Sequence, residues 1–262
     1  MPVPLIIPPT NSGVWRDSRA YFIPSPHKDD IESVLRRRGQ EIAGRGQLSH
    51  TLIPYPPSDH QLPRNAERFR LLFADATIRK LLRQLTSAKG ARVPITEFEA
   101  TAGRRTAEIF AVLEECEVTY RSGDLVQLHR PVDNIGPTLE CYVSDVCRRE
   151  LAGSSEWGVV LEGLPTGGDY DILTWFSPLL TYIECKSSWP DKIDVSELRA
   201  FLQRNQELSP EMAILLVDTE SDLTPLIDRF TEAMLPVMHA LGRYPDDWKP
   251  GQPWIRPSRA FR

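Results

Sequence analysis

An aspartate that follows a glycine pair, and then a glutamate and a lysine two residues apart, could do hydrolytic chemistry: Gly167-Gly168-Asp169-Tyr170-Asp171, then Ile183-Glu184-Cys185-Lys186. In an extended strand, residues i and i+2 share a face. Glu184 and Lys186 therefore point one way and Cys185 the other. Ser177-Pro178 is the expected turn between the two segments. Folding about it sets Asp171 opposite Glu184, within cross-strand reach. Two carboxylates about 4 Å apart repel by roughly 4 kcal/mol at an effective dielectric near 20. A hard divalent cation relieves that repulsion, and carboxylate oxygens suit Mg²⁺ or Mn²⁺. A lysine beside such an ion orients water or steadies charge on a phosphate, so the trio suits metal-assisted phosphodiester hydrolysis.

An Asp after a Gly-Gly turn is ordinarily a turn residue, and Glu-x-Lys is ordinarily a solvated face. The run before it argues otherwise. Leu179-Leu180-Thr181-Tyr182-Ile183 is apolar and β-prone, which predicts a buried strand. A glutamate and a lysine ending a buried strand need partners or cost several kcal/mol.

With the earlier stretch Gly136-Pro137-Thr138-Leu139-Glu140-Cys141-Tyr142-Val143, these motifs resemble the PD-(D/E)XK, or restriction-endonuclease-like, nuclease superfamily. Within it they are most similar to the nuclease half of the CRISPR-associated, cyclic-oligoadenylate-activated endonucleases. The resemblance spans about residues 132–220. It implies Glu140 on a first helix as an accessory metal or water ligand. It implies Asp171 and Glu184 as metal ligands, the main-chain carbonyl of Cys185 as a third, and Lys186 as the residue that activates or positions water. It gives Asp169 no role. Members of that group carry a nucleotide-sensing domain of Rossmann type. The first 65 residues here are too short and proline-rich for one, so cyclic-nucleotide control is not carried over.

Net charge is −5 over 262 residues, with 41% hydrophobic and 26% charged residues. Those proportions fit a globular protein with one large domain or two small ones. The acidic total counts mildly against a nucleic-acid partner, although a local basic patch is compatible with it. Cys116, Cys141, Cys147 and Cys185 show no Cys-x-x-Cys spacing, and the five histidines are scattered. Reduced thiols, a cytoplasmic location and no zinc site are expected. No apolar run approaches the length of a membrane span, so no membrane partner is expected.

The chain is read as three parts. Residues 1–64 are proline-rich, with one helix over 29–41 and the rest running across the surface of another part. Residues 65–130 predict helices followed by a β-hairpin turning at Gly123, with Thr96 as an N-cap. That order resembles a winged-helix domain, in which the second helix of the pair enters the major groove. Arg104 and Arg105 would start that helix and meet base edges or phosphates. Glu108, Glu114 and Glu115 on the same helix repel phosphates, which leaves DNA or protein contact open.

Residues 131–262 are expected to form the nuclease-like domain. Its α/β core is a mixed sheet in the order αβββαβ. The helices and strands are expected over 139–151, 159–162, 169–176, 179–186, 195–208 and 213–217, followed by a last helix over 223–238. On the crossover helix, Arg199, Gln203 and Arg204 are solvated or face phosphate. The tail with Trp248 and Trp254 packs against a partner or the N-terminal segment.

Together these point to a metal-dependent endonuclease acting on DNA rather than RNA, with a winged-helix module for targeting and a role in defence against foreign nucleic acid. A homodimer or a defence-complex partner goes with that reading. The alternative is a nucleic-acid- or protein-binding regulatory subunit on a nuclease fold, with little activity alone.

Overall fold

The apolar run that ends in Glu184 and Lys186 folds as a central strand, buried from Leu180 to Cys185. Both of its faces are covered, which is why it reads as continuously apolar rather than alternating. The computed structural model describes residues 5–7, 29–54 and 64–240. In chain order these form β1 (Leu5–Ile7), α1 (Ile31–Arg37), β2 (Ile42–Gly44), α2 (Arg64–Phe73), α3 (Ala76–Ser87), β3 (Val93–Pro94), α4 (Glu99–Ala102), α5 (Thr106–Glu115), β4 (Thr119–Ser122) and β5 (Leu125–Leu128). There follow α6 (Gly136–Arg149), β6 (Ser154–Leu161), β7 (Tyr170–Phe176), β8 (Leu179–Lys186), α7 (Val195–Leu208), β9 (Met212–Val217) and α8 (Thr224–Ala240).

The fold is α/β, with a mixed sheet in the order β1-β9-β8-β7-β6-β2. β6, β7 and β8 form an antiparallel meander, and α7 carries the chain across to β9, parallel to β8. A parallel neighbour needs such a crossover, whereas the antiparallel pair turns tightly at Ser177-Pro178. The side chain of Asp194 caps the start of α7, accepting from the Ser196 amide at 2.6 Å and the Glu197 amide at 3.2 Å. Ser209, in the left-handed region at φ 48°, ends it.

Each sheet face has its own core. On one face, Leu173, Leu180, Tyr182 and Leu215 meet Phe201 of α7, Phe230 of α8 and Leu35 of α1. On the other, Ile172, Ile183, Cys185 and Ile214 meet Leu139 and Cys147 of α6. That second core runs on without a break through Ile135 to Phe69, Leu81, Phe110 and Val126. A buried hydroxyl chain pins α6 to the sheet: Ser144 Oγ lies 2.9 Å from Ser155 Oγ, which lies 2.8 Å from Thr174 Oγ1.

Residues of the first part do more than cross a surface. β1 pairs parallel with β9, and β2 pairs antiparallel with β6, so both edges of the sheet come from it. The helix there is shorter than the expected 29–41, because Asp30 caps it and Gly39, at φ 75°, lets the chain turn away. Beyond β2, Gly46 lies beneath the Trp157 ring, where an added Cβ would sit 2.1 Å from the indole. Only glycine fits there.

Among α2 to α5, the strands β3, β4 and β5 make a three-stranded sheet in the order β3-β5-β4. The hairpin turns at Gly123, at φ 63°. The expected N-cap at Thr96 is replaced by a short 3₁₀ turn, Ile95–Phe98, whose entry residue is Pro94. The tail with Trp248 and Trp254 lies outside the described residues, as do the prolines at 8, 9, 24, 26, 56, 57 and 63. Among the described residues, no helix is long and apolar enough to cross a membrane.

Candidate active site

β7 and β8 pair through Ile172↔Ile183 and Leu173↔Tyr182. Continued by one residue, this register sets Asp171 against Glu184, with both side chains on the same face. Gly167 and Gly168, at φ 62° and 77°, turn the chain into β7 just before Asp171. The Asp171 carboxylate is fixed across the strand pair: its Oδ2 accepts the Cys185 backbone N–H at 2.7 Å.

Glu184 is 3% exposed and held at both oxygens. Oε1 lies 3.1 Å from the Lys186 ammonium. Oε2 accepts from Arg204 Nη1 at 3.0 Å and from the Tyr182 hydroxyl. Arg204 also donates to that hydroxyl at 3.2 Å. Tyr182 is two residues before Glu184 on the same strand face, and its ring packs between Tyr170, at 5.0 Å, and Phe201, at 5.4 Å. Lys186 reaches a second carboxylate, Glu197 Oε2 at 2.9 Å, on the first turn of α7. The other oxygen of Glu197 accepts the Asp194 amide at 3.4 Å, so the residue that completes the helix cap also anchors the lysine.

The titration behaviour follows from crowding acids in a dry place. Burial, and then the Glu184 and Glu140 carboxylates, hold Asp171 well above the usual carboxylate range, against the pull of the Cys185 amide and Lys186. Glu140, on the first turns of α6, is pushed up to about 7 by burial, then by Asp169 and Glu184. Burial tends to lower Lys186, but Glu184 and Glu197 outweigh it and hold the ammonium above its ordinary value. Burial, and then Glu184, raise Tyr182 well above its ordinary value, so it remains a donor. The Cys185 thiol faces the other core and is likewise raised by burial, so it stays a thiol.

Glu140, Asp171, Glu184 and Lys186 are thus near enough to act on one another electrostatically. Asp169 is exposed. Arg199 and Gln203 are exposed on α7, with Gln203 donating to Glu207 Oε1 at 3.3 Å. Arg204 turns inward onto Glu184 instead of facing solvent. Arg104 and Arg105 lie exposed in a 3₁₀ turn that leads into α5, and Arg105 pairs with Asp75 at 3.7 Å.

Tyr182 and Glu197 are the site residues that sequence reasoning missed, together with the inward turn of Arg204 onto Glu184. Tyr182 was findable, because i and i−2 share a strand face. Glu197 and Arg204 come from a helix whose rotation over the sheet no local pattern fixes.

Among the described residues, no three His, Cys, Asp or Glu side chains form a group that could hold a metal ion. The donors nevertheless suit a hard cation. Asp171 and Glu184 are carboxylates held in a dry place, where burial first and then the charge of Glu184 raise Asp171, a cost that a hard cation would relieve. The fit is to two carboxylates completed by a main-chain oxygen or water, rather than to a cage of three side chains.

No protein-family model matches the sequence, and no curated protein is similar to it. Two solved structures are similar in outline. One is protein VC1899 from Vibrio cholerae, 14% identical with a TM-score of 0.43, over 82% of this chain and 56% of that one. The other is Can2 from Sulfobacillus thermosulfidooxidans, solved in complex with cyclic tetra-adenylate, 11% identical with a TM-score of 0.42, over 78% of this chain and 60% of that one. The match therefore spans between half and two thirds of the length of those proteins.

Proposed function

We propose that the chain is a divalent-metal-dependent endonuclease of the PD-(D/E)XK type that hydrolyses phosphodiester bonds of DNA. The observation that carries this reading is that Asp171 Oδ2 accepts the backbone N–H of Cys185 at 2.7 Å, next to Glu184, whose carboxylate lies 3.1 Å from the Lys186 ammonium. The order α6-β6-β7-β8-α7-β9 supports it, because it is the αβββαβ order of that superfamily's core. Mg²⁺ or Mn²⁺ held by Asp171, Glu184 and the Cys185 carbonyl would act as a Lewis acid toward the scissile phosphate.

The protein's own residues have separable tasks. Lys186, kept protonated by Glu184 and Glu197, donates to the attacking water or a phosphate oxygen and steadies the charge that develops there. Asp171 is oriented by the Cys185 amide. Glu140 reaches the site from α6 as a water or metal ligand. Residues 65–130 are proposed as a winged-helix unit, since α3, β3, α4, α5, β4 and β5 follow one another in that order. Arg104 and Arg105 would meet nucleic acid there, with Arg199 and Gln203 on the exposed side of α7. Defence against foreign nucleic acid is the biological setting proposed.

A second reading, a regulatory subunit with little activity alone, is favoured by one observation: both oxygens of Glu184 already have protein partners. Plasmid and oligonucleotide cleavage with Mg²⁺ or Mn²⁺, and with EDTA as control, separates the two. Strand cleavage that stops in EDTA and in Asp171→Ala and Lys186→Ala supports the endonuclease. Cleavage without metal, or cleavage indifferent to both substitutions, overturns it. DNA binding that survives loss of Glu184, with no hydrolysis under any metal, supports the subunit.

A further inference from the structure

We infer that Arg204 is a resident counter-cation of this site, holding the Glu184 carboxylate in place while no divalent ion is there, and competing with that ion for the same carboxylate. The inference rests on the metal-dependent reading and adds to it a control on metal loading. Glu184 is buried, and a buried carboxylate needs a positive partner. Lys186 takes Oε1 at 3.1 Å and Arg204 takes Oε2 at 3.0 Å, so the carboxylate is neutralised from both sides by groups of the chain itself. An incoming dication meets a guanidinium fixed a few ångströms away, and charges that close repel strongly even at an effective dielectric near 20.

Three observations show the Arg204 grip to be real yet exchangeable. Arg204 holds Glu184 with a single nitrogen, Nη1, rather than with a two-pronged fork. The same nitrogen leans on Tyr182, which itself donates to Glu184. Its Nε is buried with no hydrogen-bond partner, so the guanidinium gives up nothing there by shifting to another acceptor. The Gly168 turn lies against it, and a Cβ there would come 3.9 Å from Nη2. Arg204 is a positioning residue on this account, acting through Glu184.

The test measures Mn²⁺ affinity by calorimetry, and melting temperature in EDTA and in Mn²⁺, for the full chain. Arg204→Gln should melt lower in EDTA and bind Mn²⁺ about tenfold tighter than wild type. Arg204→Lys, which keeps the charge, should stay close to wild type in both. Asp171→Asn should lose the ion and serves as the control. If Arg204→Gln folds only with Mn²⁺ present, the same conclusion follows in stronger form. Tyr182→Phe removes one of the two partners of Arg204 without a change of charge and should bind Mn²⁺ about threefold tighter.

Unchanged or weaker Mn²⁺ binding in Arg204→Gln, with binding lost in Asp171→Asn, overturns the inference and leaves the endonuclease reading standing. Should Arg204→Gln fail to fold in either condition, unchanged or weaker binding in Tyr182→Phe overturns it. Wild-type protein that binds no Mn²⁺, or binding indifferent to Asp171→Asn, overturns the endonuclease reading itself.

Discussion

The backbone N–H of Cys185 donates to Asp171 Oδ2 at 2.7 Å, tying the acid on β7 to the residue between Glu184 and Lys186. This bond locks the register of the hairpin at the site. A one-residue slip would turn Asp171 to the opposite face and part it from Glu184. The same bond holds a carboxylate in a place that disfavours its charge, because burial and two neighbouring acids oppose ionisation.

The metal-free protein should therefore be less stable at alkaline pH, and Glu140 gives the clearest window. Its folded value lies at about 7 against an ordinary 4.5. A group raised in this way contributes fully below 4.5, and its contribution fades as the pH rises through about 7. The span is worth on the order of 3 kcal/mol. Urea denaturation of Glu140→Gln in EDTA should show that much less loss of stability between pH 4.5 and pH 8. An unaltered pH profile would show that Glu140 is not crowded by its neighbours.

Lys186 carries the same sign in a higher window. Its folded value lies above the ordinary 10.5, so its ion pairs with Glu184 and Glu197 contribute fully below that pH and fade only above it. The basic limb of a cleavage profile between pH 7 and pH 9 should then not move in variants that spare Lys186. Lys186→Met should lower cleavage by about 10² to 10⁴, the range for loss of a placed proton donor. Cleavage rates measured at saturating Mg²⁺ check both statements.

At the far end of β9, Asp218 ties the sheet to α3. Its carboxylate accepts from Arg79 and Arg83 at 2.9 Å each, and its backbone N–H donates to the Lys186 carbonyl at 2.8 Å. Arg79 is 6% exposed and also donates to the Phe73 and Ala74 carbonyls at 2.8 Å. Asp218→Asn leaves two arginines short of their anion and should cost about 3–5 kcal/mol in urea denaturation, the usual loss for a broken buried pair. Arg105→Ala breaks an exposed pair at 3.7 Å and should cost under about 1 kcal/mol.

If the unit from α2 to β5 grips nucleic acid, Arg104 and Arg105 should carry part of the grip. Replacing both with alanine should weaken DNA binding alike across sequences. It should also flatten the plot of log affinity against log salt by about 2, close to one per lost phosphate contact. Fluorescence anisotropy over a salt series measures this. An unchanged slope would assign that face to a protein partner.

Much of this was legible along the chain. The β-prone run 179–183 predicted a buried strand because both of its faces are apolar, and it is the central strand. Glu184 and Lys186 share a face because strand periodicity requires it, and Gly123 makes the hairpin turn because a positive φ suits glycine. The edges were not legible. Leu5–Ile7 and Ile42–Gly44 are three-residue strands beside prolines and glycines, and they pair only because the sheet offers them open edges. Nothing around Gly46 in the sequence marks it, because the Trp157 ring that requires a glycine there comes from a strand over a hundred residues later.

The order of elements, the turns and the shared face of the acid and the lysine were set by local sequence, because two-residue and 3.6-residue periods are properties of the backbone itself. Which groups surround that face was decided by the fold. Arg204 and Glu197 reach Glu184 and Lys186 only through the way α7 lies across β8, and Glu140 only through the way α6 is pinned beneath it. Contacts between elements distant in sequence depend on packing angles that no stretch of residues encodes alone.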